Sequence, residues 1–511
     1  MTHDRAALYS ALTSRDPRFD GVFYVGVTST GIYCRPVCTA RTPKAANCRF
    51  FESAEAAEKA SFRPCLRCRP ELAPGNAPVD DSRRVAALLA YRIEEGMLDN
   101  GAGMEHVAAR FGWSSRQVRR MVHKELGVSP IELVLTRRLL LAKQLLTETT
   151  LPITDVAFAS GFSSLRRFND AFSRRYRMPP SRLRKIAKGA SASTSAQSFT
   201  LQLTYRPPFD WPGMMGFLGA RTLKGVELVH DDAYFRTVRL GNHQGWLSVR
   251  HAPEKHALLV ELTHSLTPAL PAVLARLRHV FDLSAHPEVI AAKLMGDGLL
   301  RDAVARNPGL RVPGAFDGFE LAVRAILGQQ VSVKAATTMA GRFADAFGDP
   351  IETPQAGLTR LSPTPDRVAA ARIEELASLG IVQARARSII ALAQEVATGR
   401  LTLDAGADPN EGIEQLVALP GIGPWTAQYI AMRAFRWPDA FPKEDVALRK
   451  RLGGVSAARA EALSEAWRPW RSYATLHLWQ GATTTKIPPA APHRPGAAPS
   501  GPGRPRVPLD S

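Results

Sequence analysis

The stretch Leu419-Pro-Gly-Ile-Gly-Pro-Trp-Thr-Ala-Gln-Tyr429 sets two glycines around one isoleucine within a region of helical apolar spacing. Without a Cβ, glycine lets another group come close to the backbone. Backbone N–H groups at a helix N-terminus can then approach a phosphate. Sixteen residues beyond Tyr429 stands Asp445, in Phe441-Pro-Lys-Glu-Asp445-Val-Ala-Leu-Arg-Lys-Arg451. Asp445 reads as the N-cap of a helix starting at Val446, or as a carboxylate placed for chemistry, and the two roles coexist.

The Leu-Pro-Gly-x-Gly arrangement resembles the hairpin of helix-hairpin-helix proteins, which polymerases and nucleases also use. An Asp at this distance beyond it resembles the DNA glycosylases of that superfamily. Working outward, residues 199–481 resemble the AlkA-type 3-methyladenine DNA glycosylase II family. The likeness is carried by Pro208-Phe-Asp-Trp-Pro-Gly-Met-Met-Gly-Phe-Leu-Gly-Ala-Arg221, by Val323-Arg-Ala-Ile-Leu-Gly-Gln-Gln-Val-Ser332, by the hairpin, and by Trp467-Arg-Pro-Trp-Arg-Ser-Tyr-Ala-Thr-Leu-His-Leu-Trp479. It implies base flipping, with Asp445 facing a developing oxocarbenium sugar and its water. It also implies an aromatic pocket that favours a cationic base by cation–π stacking. Trp425, Tyr429 and Trp479 match the pocket positions, with Phe217 an addition; for any single aromatic the competing role is core packing. Gly421, Gly423 and Thr426 are implied to meet DNA, and the carbonyls of Val417, Leu419 and Ile422 to hold a monovalent cation. Trp425 stands where bifunctional members carry lysine, so no Schiff-base lyase step is expected. Two positions depart from the family: Gln330 occupies the place of a leucine that wedges into DNA, and Gln480 that of an aromatic after Trp479. Both bear on which lesions are accepted.

At 511 residues the chain exceeds one core and should hold roughly three to five domains. No run of about 18 uncharged apolar residues suggests a membrane span. The N-terminus, MTHDRAALYSALTSRDPRFD, lacks the apolar segment of a secretory signal. A cytoplasmic, nucleoid-associated monomer is therefore the expectation. Net charge is +19, and residues 104–188 hold 17 Lys/Arg against 6 Asp/Glu, supplying +11 of it. Such a concentration points to a polyanion, nucleic acid first; a merely solvated basic face is the alternative.

Two segments within 80–188 repeat one pattern: Val107-Ala-Ala-Arg-Phe-Gly112-Trp-Ser-Ser-Arg-Gln-Val-Arg-Arg-Met121 and Val156-Ala-Phe-Ala-Ser-Gly161-Phe-Ser-Ser-Leu-Arg-Arg-Phe168. Each has an apolar helix, a glycine turn, a serine cap and a second helix bearing arginines. This is helix-turn-helix logic given twice. The segment resembles AraC-type regulators, through Asp155-Val-Ala-Phe-Ala-Ser-Gly-Phe162 and the spacing of Phe168, Phe172 and Pro179. Candidate recognition residues are Arg116, Gln117, Arg119 and Arg120 in the first unit and Ser164, Arg166 and Arg167 in the second, some of them for phosphates rather than bases.

Five cysteines in a cytoplasmic chain favour metal or catalysis over disulfides. Cys34 and Cys38 form one close pair and Cys65 and Cys68 another, a spacing able to close a thiolate shell around Zn²⁺; Cys48 falls outside it and reads as a small buried residue. A purely structural zinc and a reactive thiolate are both compatible with this spacing. The segment Asp20-Gly-Val-Phe-Tyr-Val-Gly-Val-Thr-Ser-Thr-Gly-Ile-Tyr-Cys34-Arg-Pro-Val-Cys38, with Phe62-Arg-Pro-Cys65-Leu-Arg-Cys68, resembles the N-terminal domain of the Ada adaptive-response regulators. The resemblance implies that Cys34 accepts a methyl group from a methylphosphotriester in DNA. One thiolate then becomes a thioether, the site passes from doubly to singly negative, and affinity for DNA should rise. No cysteine follows Cys68, so transfer from O6-methylguanine by the second Ada domain is excluded.

The expected architecture is multidomain α+β. It comprises a small zinc-bound α/β domain (1–75), an all-α double helix-turn-helix (80–188), a flexible linker (189–198), an α+β sheet domain (199–310), an all-α helix-hairpin-helix glycosylase domain (311–484) and a Pro/Ala/Gly/Arg tail (487–511). A Pro/Gly stretch, Leu72–Pro78, separates the first two. The expected partners are alkylated and promoter double-stranded DNA and, if the chain activates transcription, RNA polymerase. A regulator with a structural zinc and a non-catalytic glycosylase-like module is the alternative.

Overall fold

The computed structural model describes residues 5–15, 20, 23–51, 53–68, 70, 114–187, 197–405 and 407–480, with scattered positions between 86 and 108. The tail from 487, the stretch 72–78, residues 188–196 and most of the first helix of the first helix-turn-helix unit lie outside the described residues. No helix of the described residues is long and apolar enough to cross a membrane.

Strands β1 (Tyr24–Val27), β2 (Ile32–Cys34), β3 (Cys48–Phe51) and β4 (Arg63–Pro64) form a small sheet in the order β3-β1-β2-β4. Side chains alternate across it. Phe23 and Val25 therefore pack with Leu8 and Leu12 of helix Arg5–Ser14, whereas Tyr24 packs with Tyr33, Phe62 and Ala57 of helix Ala54–Lys59. Neither cluster is large. β4 runs parallel to β2, Tyr33 opposite Pro64, and Cys65 N donates to Tyr33 O at 3.0 Å. That pairing brings the second cysteine pair beside the first.

Among the described residues from 114 to 187 five helices follow: Ser115–Leu126, Pro130–Glu148, Ile153–Ala159, Leu165–Tyr176 and Pro180–Ala187. Ser114 and Ser164 cap the two arginine-bearing helices, and Gly161 takes φ +86° at the turn. The repeat read in the sequence is thus built where the described residues cover it.

Strands β5 (Ser198–Thr204), β6 (Glu227–His230), β7 (Ala233–Leu240), β8 (His243–Ala252) and β9 (Ala257–Thr263) form an antiparallel sheet in the order β5-β9-β8-β7-β6. Its first strand starts at Ser198, the last residue of the expected linker. Helices then dominate to Gln480. Among them Gly318–Leu327, Gln383–Ala397, Pro424–Arg433 and Arg471–Gln480 surround one apolar core that includes Ile326, Leu392, Ile430 and Leu476.

Sheet and helices are joined by buried charges. Arg236 of β7 pairs with Glu227 of β6 at 3.2 Å and with Glu320 of helix Gly318–Leu327 at 2.8 Å; Arg324 reaches Glu227 at 2.9 Å. Removing one partner of a buried pair leaves a charge uncompensated. Glu320→Ala is therefore expected to destabilise the chain by about 3–5 kcal/mol in denaturant unfolding, whereas replacing Arg236 and Glu320 together by Met and Leu should cost far less. Equal losses from the two variants would show that packing, not charge, decides this joint.

Candidate active site and metal centre

In the hairpin between helices Pro409–Val417 and Pro424–Arg433 the two glycines differ. Gly421 has φ +76°, and a Cβ there would stand 2.2 Å from Ser388 Oγ. A Cβ on Gly423 would meet nothing within 4 Å, so its backbone faces open space just before the helix N-terminus. Thr426 is placed differently from expectation. It is 2 % exposed, and its hydroxyl accepts from Gln329 Nε2 at 3.0 Å, while the same nitrogen donates to Gly421 O at 2.9 Å. Its side chain braces the hairpin from inside and is removed from the surface.

Trp425 and Tyr429 lie one turn apart on helix Pro424–Arg433, and their rings stack at 5.5 Å with planes 7° apart. Tyr429 meets Trp479 at 6.3 Å and 44°. Asp445 caps the next helix, accepting Leu448 N at 2.7 Å on Oδ1. The same carboxylate accepts the indole N–H of Trp425 at 2.8 Å on Oδ2 and that of Trp479 at 3.2 Å on Oδ1. The expected cap and the expected site acid are therefore one group, clamped by two of the expected pocket aromatics. Together with Arg221 and Arg324, these four residues line a cavity of about 470 Å³.

Phe217 does not line that cavity. It lies behind the wall, with the Arg221 guanidinium 3.9 Å and that of Arg433 5.0 Å from its ring centre. Arg433 is buried; it donates to Tyr429 Oη at 2.8 Å and to the carbonyls of Pro313 and Gly314 at 2.8 and 3.1 Å. Burial pushes the Tyr429 phenol up, but Arg433 and Arg221 outweigh it and bring it below the ordinary tyrosine value. The three arginines were not singled out in the sequence. Arg221 and Arg324 sit inside stretches quoted above, and Arg433 stands four residues after Tyr429, the spacing that places two helix residues on one face.

Gln330 is exposed and held at φ +56°, beside Gln329, whose carbonyl accepts from Arg385 and whose amide is pinned to the hairpin. Gln480 accepts from Asn307 Nδ2 at 3.2 Å. Of the carbonyls expected to hold a cation, that of Leu419 accepts Ile422 N at 3.2 Å.

In the small domain the sulfurs of Cys34, Cys38, Cys65 and Cys68 all lie within 4.8 Å of one another. A tetrahedral zinc–thiolate shell needs sulfurs about 3.8 Å apart, so the four residues fit that ion. Arg35 N donates to Cys68 Sγ and Ala40 N to Cys38 Sγ, each at 3.5 Å, whereas no backbone N–H reaches Cys34 among the described residues. Cys34 is also the one member only half-buried. Behind it Arg35, fully buried, is forked onto Asp20, its Nε 2.8 Å from Oδ1. Cys48 sits apart in the core, beside Phe23 and Val25.

On the basic domain Arg116, Arg119, Arg120, Arg166 and Arg167 are exposed on the two arginine-bearing helices. Gln117 and Ser164 are already engaged. The Gln117 side-chain oxygen accepts Ser114 N at 2.8 Å, and Ser164 Oγ accepts Arg167 N at 3.3 Å. Both serve as caps, whereas the five arginines face outward.

Four family descriptions match the chain: the metal binding domain of Ada over 7–71, a helix-turn-helix domain over 107–186, the AlkA N-terminal domain over 200–317 and the HhH-GPD superfamily of base excision DNA repair proteins over 323–472. A Mycobacterium tuberculosis H37Rv protein described as a probable bifunctional transcriptional activator/DNA repair enzyme AlkA is 42% identical over 490 residues, spanning 94% of this chain and 97% of its own length. DNA-3-methyladenine glycosylase 2 of Escherichia coli K12 is 37% identical over 277 residues, 54% of this chain and 95% of that protein. The bifunctional transcriptional activator/DNA repair enzyme Ada of the same organism is 46% identical over 65 residues, 13% of this chain and 18% of its own.

Proposed function

The chain belongs to the family of bifunctional AlkA-type fusions, in which an Ada-like regulator precedes a glycosylase, and we propose that its C-terminal half hydrolyses the N-glycosidic bond of alkylated bases in DNA. The observation that carries this is Asp445 at the wall of an aromatic cavity. A carboxylate offers about four acceptor positions. Two indole N–H groups and one backbone N–H take three of them here, fixing the group and leaving capacity toward the cavity. A base such as 3-methyladenine is cationic and already a good leaving group. Once flipped from the stack it is favoured by the faces of Trp425, Tyr429 and Trp479, while the Asp445 charge opposes the positive charge growing on the sugar. Gln330, exposed on its left-handed turn, is the residue proposed to enter the gap left in the duplex. Gly421 and Gly423 are proposed to let the hairpin backbone meet the phosphate beside it, with a monovalent cation at the carbonyls of Val417, Leu419 and Ile422.

The N-terminal half is proposed to accept a methyl group on Cys34. Zinc held by Cys34, Cys38, Cys65 and Cys68 keeps thiolates deprotonated at neutral pH. Cys34 is the half-buried member, and among the described residues it has no backbone donor like those that temper Cys38 and Cys68. Its sulfur takes the methyl carbon, and the phosphate leaves as a diester anion. Arg116, Arg119, Arg120, Arg166 and Arg167 then hold promoter DNA, and activation proceeds through RNA polymerase. The protein acts as a cytoplasmic monomer at the nucleoid.

Two measurements separate the halves of this reading. Wild-type chain incubated with methylated DNA should release free alkylated base; no release removes the glycosylase assignment. After incubation with methylphosphotriester DNA, mass spectrometry should find one added methyl on the peptide containing Cys34. A methyl on Cys38 instead, or none, overturns the acceptor assignment and leaves the zinc purely structural.

A further inference from the structure

The sequence separates the regulator from the glycosylase half by a small-residue linker, yet the apolar residues on its two sides form one core. Leu145 and Leu146 of helix Pro130–Glu148 and Phe168 of the second helix-turn-helix unit are buried in the same cluster as Phe199, Leu201 and Leu266 of the sheet domain. The first unit differs: Val118, Met121 and Val122 pack in a separate cluster with Ala86 and Leu89.

The polar contacts agree. β5 is an outer strand, paired with β9 on one side only. An outer strand presents unpaired backbone N–H and C=O groups, which proteins cover or blunt. At Gln202 helix Pro130–Glu148 takes both. Gln144 Nε2 donates to Gln202 O at 2.7 Å, and Gln202 N donates to Glu148 Oε2 at 2.8 Å. Gln144 and Glu148 stand one helical turn apart and are themselves bonded at 3.0 Å, so the two caps are presented as a pair. These are directed bonds to a particular residue of the strand edge, not the incidental touching of tethered bodies. A further tie, Arg92 to Asp404 at 2.5 Å, links the first unit to the glycosylase domain.

We propose that the second helix-turn-helix unit is docked on the glycosylase half as one rigid body, with helix Pro130–Glu148 as the partner of the β5 edge. Recognition helix Leu165–Tyr176 and the lesion cavity then keep a fixed mutual geometry. Two modules on a flexible tether engage DNA independently, with an effective concentration set by linker length. A docked pair engages one duplex only where its two sites fall at a compatible helical phase, which repeats about every 10–10.5 base pairs.

The test uses the full chain carrying a protease site inserted between Ala187 and Gln197, cut to completion. The two fragments should co-elute on size exclusion at the position of uncut protein; separation into two peaks overturns the proposal. In the same cut chain Leu145→Asp should separate the fragments, and continued co-elution would overturn the assigned apolar seam. Should Leu145→Asp not fold, Gln144→Ala with Glu148→Ala leaves the apolar contacts in place. That pair should raise the fragment dissociation constant roughly tenfold to a hundredfold by loss of two hydrogen bonds, and no change overturns the assigned edge contact. Co-elution reads neither base release nor methyl transfer, so its outcome stands apart from the catalytic reading.

Discussion

Asp445→Asn is expected to lower base release from alkylated DNA about 10²–10³-fold, the loss typical of removing one electrostatic group aimed at a developing charge. The variant should remain folded. Asparagine keeps the volume and one acceptor oxygen, which can still take the Leu448 N–H now 2.7 Å from Oδ1. What it cannot keep is both indole bonds. A carboxylate accepts on two oxygens, an amide on one, and the amide adds two donors. Whichever way the side chain turns, its NH₂ meets the N–H of Trp425 or of Trp479, which donate to opposite oxygens of Asp445. That conflict costs about 1–3 kcal/mol of stability, so a melting midpoint belongs beside the rate measurement. Single-turnover release is the decisive readout, since it does not depend on product dissociation. A rate equal to wild type would reduce Asp445 to a helix cap.

Much of this site was legible because its chemistry depends on residue type and spacing. Two cysteine pairs suffice to suggest a thiolate shell, and Gly421 needed only its place in a Pro-Gly-Ile-Gly turn. The cap at Asp445 was legible because capping is a local relation, fixed by the helix that starts at Val446. What escaped depends on direction. Nothing in a sequence says that the indole nitrogens of Trp425 and Trp479 converge on one carboxylate, nor that Phe217 sits behind the cavity between two guanidiniums. Gln117 and Thr426 show the same limit. Each occupies a position suited to DNA contact, yet the side chain of one closes a helix cap and that of the other holds Gln329. The linker is the clearest case: composition describes residues 189–198 as small and polar but carries no information on whether their two ends meet. Gln144, Glu148 and Gln202 settle that contact through hydrogen bonds between segments more than fifty residues apart.

Removing the metal should divide the molecule more sharply than any substitution in the glycosylase half. Chelation, or Cys65→Ser, is expected to unfold residues 5–70 while base release continues unchanged. The reason is the size of the core. Four strands of two to four residues rest on two small apolar clusters, and a domain of about 65 residues buries too little surface to be more than marginally stable. Structural zinc sites in small peptides contribute apparent free energies of about 10–16 kcal/mol, more than such a core supplies. The four cysteines also tie β2 to β4, a pairing of only two residue pairs, so the parallel edge has little else to hold it. Hydrogen exchange at the amides of β1 to β4 checks this directly: protection should vanish with the metal and return on adding Zn²⁺. Amides of β7 and β8 serve as the internal control and should stay protected throughout. Protection in β1 to β4 that survives chelation would show that Arg35–Asp20 and the two clusters hold the domain alone. Cys34→Ser separates folding from transfer in the same experiment. With three thiolates left it should bind zinc more weakly and need more of it to regain protection, and once refolded it should gain no methyl group from methylphosphotriester DNA.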